Sequence, residues 1–195
     1  MRSASLRCVT FGRKSHRLEA SSNYWIGGCV AEQNEPRWLS EAERDMWVRL
    51  VATTLLLPGE VEAQLKRDAG LTFFEYHVLA MLSEADERTR LMSDLARWAN
   101  SSLSRLSHVV TRLEKQGWVR REACPDDRRA TNAVLTDEGF AHLEAHAPAH
   151  VEIVRKLVFD GLTPEQIAVT TTALGTILEA VDPGHTQIPV GNISK

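Results

Sequence analysis

Residues 95–139 read LARWANSSLSRLSHVVTRLEKQGWVRREACPDDRRATNAVLTDEG, and the order of signals along this stretch decides the fold. Leu91 to Asn100 forms a short helix packed through Leu95 and Trp98. A second helix is expected from Ser101 to Gln116, ended by Gly117, a residue suited to the left-handed backbone of a helix terminus. At about 100° per residue, Leu103, Leu106, Val110 and Leu113 gather on one side. Ser101, Ser104, Arg105, His108 and Arg112 lie nearly opposite. Two short strands follow, Trp118 to Glu122 and Thr131 to Leu135, joined by the polar, proline-containing loop Cys124 to Arg129. Thr136-Asp137-Glu138 caps the next helix with acidic side chains at its positive end. Helix, turn, helix and hairpin in that order make a winged helix.

Working outward, Ser40-Glu41-Ala42-Glu43 is a capping box, followed at helical spacing by Met46, Trp47, Leu50, Val51 and Leu55. Pro58-Gly59 is expected to interrupt or kink this helix before it continues through Leu65. Thr72-Phe73-Phe74-Glu75 is a second box, opening a helix that ends near Ser83. Downstream, the helix from Thr136 runs towards Phe159 with a kink expected at Pro148. Thr163-Pro164-Glu165-Gln166 combines a cap, a proline at the first helical position and a capping-box partner. The final helix carries Ile167, Leu174, Ile177, Leu178 and Val181. The expected organisation is mainly α with a small β wing. A lobe over about residues 72–136 is flanked by helices over about 40–68 and 137–181, and a loose tail covers 182–195. Residues 1–37 are Ser-, Arg- and Gly-containing without a persistent period. They read as a disordered extension or an over-long start, with a faint likeness to an organelle transit peptide.

Composition narrows the function. The chain has 195 residues, 43% hydrophobic and 25% charged, which is ordinary for a soluble globular protein. Its longest apolar runs are a few residues, far short of the roughly 20 a membrane helix needs. Cys8, Cys29 and Cys124 are too few and scattered for a disulfide framework or a CxxC knuckle, and a reducing, cytoplasmic setting fits. The net charge of −3 conceals blocks. Between residues 97 and 135 there are 8 basic and 4 acidic side chains, whereas residues 38–96 carry 6 and 11. A basic island in an acidic chain is a local electrostatic footprint.

The island coincides with the second helix of the turn. Its polar face offers hydroxyls, an imidazole and two guanidinium groups, with no carboxylate before Glu114, and such a helix can enter the major groove of double-stranded DNA. Arg105 is the candidate for a bidentate guanine contact. Ser101, Ser102 and Ser104 near the helix start suit phosphates, with His108 and Arg112 further along the same face. In the loop, Arg128 and Arg129 can reach the minor groove. Asp127, repelled by phosphate, is expected to brace an arginine of the wing or of the preceding helix, such as Arg97. The competing reading is a winged helix whose basic face docks an acidic protein partner.

The stretch from LARWAN through SSLSRLSHVVTRLEKQGWVRR, DDRRATNAVLT and TDEG resembles the winged helix-turn-helix of the MarR family of bacterial transcriptional regulators, and with the flanking helices the likeness extends from Trp38 to Val181. The resemblance implies a homodimer with intertwined first and last helices, a pseudo-palindromic operator, and repression relieved by a small-molecule effector. It puts Arg129 at the wing-tip arginine position and Asp127 at the acidic position that braces it. Residues 1–37 have no counterpart in it. Independently, Leu143, Val151, Val154, Leu157, Val158, Leu174, Ile177 and Leu178 offer more apolar surface than a small winged helix covers, which also argues for a dimer.

Other constellations carry less. His142, His146 and His150 recur at a spacing that can place metal ligands on one helix face. Pro148 disturbs that face, so solvent-exposed or dimer-flanking histidines are expected instead, with no metal or cofactor. Cys124, among Arg120, Arg121, Arg128 and Arg129, has the setting of a lowered thiol pKa, although a small turn residue explains it as well. Trp47, Phe73, Phe74 and His77 could line an effector cavity, or simply the core. No GxSxG, P-loop, GxGxxG or paired-carboxylate arrangement points to an enzyme.

Overall fold

The computed structural model describes residues 36–125, 127 and 129–183. The chain divides between Leu39 and Ser40, and the architecture below is that of the second unit. Six helices and three strands follow one another: α1 (Glu41–Asp68), α2 (Phe73–Ser83), β1 (Thr89–Leu91), α3 (Met92–Trp98), α4 (Leu103–Lys115), β2 (Val119–Ala123), β3 (Thr131–Leu135), α5 (Asp137–Val154) and α6 (Pro164–Val181). A short 3-10 turn precedes β1, and a π-helical turn, Arg155–Phe159, extends α5.

The helix starts follow the local chemistry of the sequence. All three capping boxes form, at Ser40/Glu43, Thr72/Glu75 and Thr163/Gln166. Each satisfies amide groups that have no partner within the helix. Ser102 caps α4 by accepting from the Arg105 amide at 3.2 Å. Gly117 ends α4 with φ +78°. Two expectations are corrected. The first helix is one element that continues through Pro58. The lost backbone hydrogen bond costs about 3 kcal/mol, and Val61 and Leu65, both buried beyond it, offset that by roughly 1.5–3 kcal/mol each. The sheet has three strands in the order β1-β3-β2 rather than two. Thr89–Leu91 pairs antiparallel with β3, Arg90 opposite Ala133. Three residues preceding a helix are too few to show a strand period.

The core lies in the winged helix and is closed by the C-terminal half of α1. Leu65 of α1, Leu71, Val78, Leu79 and Leu82 at and within α2, Leu95 of α3, Leu106, Val110 and Leu113 of α4 and Val119 of β2 are its fully buried side chains. The start of α5 is welded to this lobe at one place. The Thr136 hydroxyl donates to the Gly117 carbonyl at 2.7 Å and accepts from the Gly139 amide at 3.0 Å. Gly139 is required there, because a Cβ would collide with the carbonyl oxygen of Trp118 and sit 2.8 Å from Leu135 Cδ1. Alongside, Arg88 reaches from the turn before β1 to Asp137 at 3.0 Å and lies 3.7 Å over the Phe140 ring. Glu87 and Arg88 in that turn have φ 50° and 54°, uncommon for non-glycine residues.

Candidate nucleic-acid interface

The recognition face is built on α4, which buries Leu106, Val109, Val110 and Leu113 against the core. Leu103 is exposed instead of buried: it stands in the first turn, on the edge of the apolar stripe. Ser101 precedes the cap and is half-buried, while Ser102, Ser104, Arg105, His108 and Arg112 are exposed. These last five line a single groove of about 540 Å³ whose opposite wall is Glu62, Thr72 and Phe74. The structure therefore brings most of the sequence-derived residues together, between α4 and the start of α2.

That opposite wall changes the electrostatics expected of the face. Along α4 alone no carboxylate precedes Glu114, but the fold supplies one from α2. Arg112 Nε lies 2.8 Å from Glu75 Oε1, and the other oxygen of Glu75 accepts from the Thr72 amide and hydroxyl. Arg105 has no carboxylate partner among the described residues and stacks its guanidinium 4.5 Å from the Phe74 ring centroid. A helical wheel of α4 cannot show either contact, since both partners come from another element.

Of the two partners expected for Asp127, an arginine of the wing or one of the preceding helix, the second is overturned. Asp127 does not hold Arg97, which pairs with Asp94 one turn earlier in α3 at 3.4 Å. The Asp127 carboxylate instead accepts from the Arg129 amide at 2.9 Å, and its carbonyl accepts from Ala130. Asp127 therefore shapes the turn through the main chain, as a short carboxylate two residues back in a turn readily does. The Arg129 side chain is exposed. Arg128 lies outside the described residues.

The group that ties the wing to α4 is Arg121, which the sequence reading missed. Its guanidinium bonds Glu114, and also reaches the Ser107 carbonyl at 2.8 Å and the Thr111 hydroxyl at 3.2 Å. On the same face of the sheet, Arg90 stacks 3.5 Å over Trp98 of α3, its buried Nε without a hydrogen-bond partner among the described residues. The signal for Arg121 was its place in β2, opposite the buried Ala133. An arginine on the inner face of a strand needs an acceptor close by.

The histidines of α5 are corrected too. Of the expected solvent-exposed or dimer-flanking places, full exposure is overturned, since all three are half-buried, and among the described residues no group of three or more His, Cys, Asp or Glu is placed to hold an ion. His142 stacks on Trp118 at 4.0 Å with Nε2 3.0 Å from the Ala69 carbonyl. His146 Nδ1 lies 2.8 Å from the His142 carbonyl. His150 packs on Tyr76 at 4.2 Å. Burial holds His142 and His150 below the ordinary imidazole pKa. Cys124 is free and half-buried, and two of the four arginines near it in sequence are engaged elsewhere, Arg120 with Glu122 at 2.6 Å and Arg121 with α4.

Of the four residues weighed for an effector cavity, Phe74 lines the groove on α4. Phe73 and His77 stack on each other at 6.3 Å, burial lowering the His77 pKa. Trp47 is 56% exposed on α1. It belongs to a run of uncovered apolar side chains that includes Met46, Leu55 and Leu56, matched in α6 by Val169, Leu174, Leu178 and Val181. No residue of α6 is buried.

A winged helix-turn-helix flanked by long helices, with its polar recognition face open, defines a class of transcriptional regulators, and comparison with known proteins specifies which. The family model described as the MarR family matches residues 71–131. The crystal structure of Sco3205, a MarR family transcriptional regulator from Streptomyces coelicolor in complex with DNA, is 44% identical. The match covers 80% of this chain and 98% of that one, with a TM-score of 0.74. AbsC, a MarR family regulator of the same organism, is 40% identical over 75% of this chain and 98% of its own, with a TM-score of 0.71. The uncharacterized HTH-type transcriptional regulator YfiV of Bacillus subtilis is 29% identical over 147 residues, 74% of this chain and 88% of that protein. The chain belongs to the MarR family of transcriptional regulators.

Proposed function

We propose that this regulator binds a pseudo-palindromic DNA operator as a homodimer, reading bases in the major groove with α4 and probing the flanking minor groove with Arg129. The observation that carries this reading is the groove on α4, where Ser102, Ser104, Arg105, His108 and Arg112 converge as exposed donors on a helix whose other side is fully packed. The DNA complex of Sco3205 supports the same use of the fold. In this reading Arg105 takes a guanine through its two-pronged edge. The serines at the start of α4 bind phosphate together with the free amides of the helix end.

The dimer is supported by the uncovered apolar faces of α1 and α6. A second copy packed there would remove them from water at roughly 25 cal/mol per Å². It would also set two recognition helices about one helical turn of DNA apart, roughly 34–36 Å. We further infer repression relieved by a small effector, as the family implies, and a cytoplasmic site of action alongside the DNA. Among the described residues no helix is long and apolar enough to cross a membrane.

The test is binding of the purified protein to duplex from its own upstream region and to random duplex, across a salt series. A preference of roughly a thousandfold, with a salt slope equivalent to several phosphates, is expected. Equal, weak binding to both, combined with tight binding to an acidic protein, would replace this reading with the protein-docking one.

A further inference from the structure

The two arginines of α4 are held in different ways. A stacking contact such as that of Arg105 on Phe74 uses the face of the guanidinium and leaves its in-plane N–H groups for acceptors. Arg112 is held by charge, its Nε 2.8 Å from Glu75 Oε1 in an ion pair, while its side chain stays 58% exposed. Glu75 is only 8% exposed. It is locked from behind, because Oε2 takes both the amide and the hydroxyl of Thr72 at 2.8 Å. A carboxylate fixed by a helix cap cannot follow a swinging side chain, so the guanidinium must come to it. Phe74 and Glu75 are adjacent in the first turn of α2, and that single turn aims both arginines.

We propose that Glu75 is a positioning residue for DNA recognition, holding Arg112 as an oriented phosphate clamp beside the base-reading Arg105. The proposal rests on the DNA-binding reading above. The pair sums to zero charge, so Arg112 contributes geometry at the expense of long-range attraction. Such a clamp favours an operator, on which the phosphate lies at the right place, over random duplex, on which only net charge counts. Glu62, the carboxylate that lines the groove, does not compete for Arg112, being engaged by Lys66 at 2.5 Å.

The experiment compares the wild type with Glu75→Gln, Arg112→Ala and the double variant, on an operator duplex enriched by the wild type from a random-sequence library and on a scrambled duplex. Glutamine can still close the capping box, so a melting curve close to wild type is expected for Glu75→Gln. Its operator affinity should fall about five- to tenfold, the net scale of one ordinary polar interaction, with binding to the scrambled duplex unchanged or tighter. Arg112→Ala should lower the operator salt slope by about one phosphate, and adding Glu75→Gln to it should cost nothing more. Losses that add, or that are equal on both duplexes, overturn the proposal. If Glu75→Gln melts early, Arg112→Lys gives the same test from the other side. Lysine keeps the charge but lacks a fork that can serve two acceptors, so the salt slope should stand while operator preference drops. An unchanged preference would overturn the role of Glu75. A wild type that enriches no operator defeats the DNA reading itself, an outcome distinct from variants that select DNA as well as wild type.

Discussion

Leu79 in α2 and Leu178 in α6 are the same residue on helices of similarly apolar composition, yet Leu79 is fully buried and Leu178 is 39% exposed. The contrast holds for the regions around them. From Leu65 to Leu135 the leucines and valines of six elements close on one another. Along the first half of α1 and all of α6 the same residue types stand uncovered. The winged lobe is complete within one chain, whereas the flanking helices are half of something. What distinguishes them is whether the partner for an apolar stripe lies in the same chain, and hydrophobic periodicity is blind to that.

The sharpest way to break this comparison is to make the same substitution in both regions. Leu79→Ala should cost about 2–5 kcal/mol of unfolding free energy in denaturant melts. Leu178→Ala should cost little in the lobe and should instead shift the monomer–dimer balance in sedimentation equilibrium. Equal stability losses with no change in association would erase the distinction. The weld between the regions comes next. Gly139→Ala forces a methyl against the backbone of Trp118, and a loss of about 1–3 kcal/mol is expected, measured as a lowered melting temperature. On the DNA side, Arg105→Ala should remove about 1–3 kcal/mol of operator binding and relax specificity at one base step. Uniform weakening on every sequence would make Arg105 a phosphate contact.

The smallest effect concerns protons at the seam. With their folded-state pKa values held down by burial, the packed His142 and His150 contribute fully above the ordinary imidazole pKa of about 6.5. That contribution is lost as pH falls towards their depressed folded values, because the unfolded chain takes up protons the native seam resists. The melting temperature should therefore decline below about pH 6.5, less steeply in His150→Phe. An identical profile for that variant would remove His150 from the account.

Most of the architecture was legible because it is written in local chemistry. Three capping boxes, Gly117 and the proline-containing loop before β3 each act through neighbours a few residues away. The misreadings share a cause. Pro58 was expected to interrupt or kink its helix, and distant packing holds that helix together as one element. Strand β1 owes its existence to pairing with β3, and Leu103 stands at the edge of a stripe whose limits the rest of the fold sets. In the site, the wheel of α4 put the right side chains on one face but left out Glu75, Phe74 and Arg121, which come from α2 and β2. The α5 histidines read as solvent-exposed or dimer-flanking because Trp118 and Tyr76, which pack on His142 and His150, are far away in sequence. A residue's type and spacing fix which face it takes, and only the fold fixes what it meets there.

In the dimeric reading, two copies complete what one chain leaves open. Native mass spectrometry of the protein on a duplex carrying its operator tests this most directly. Two chains of 21.8 kDa per duplex are expected, with the complex lost when half a helical turn is inserted between the half-sites. A single chain bound per duplex, with affinity indifferent to that insertion, would contradict it.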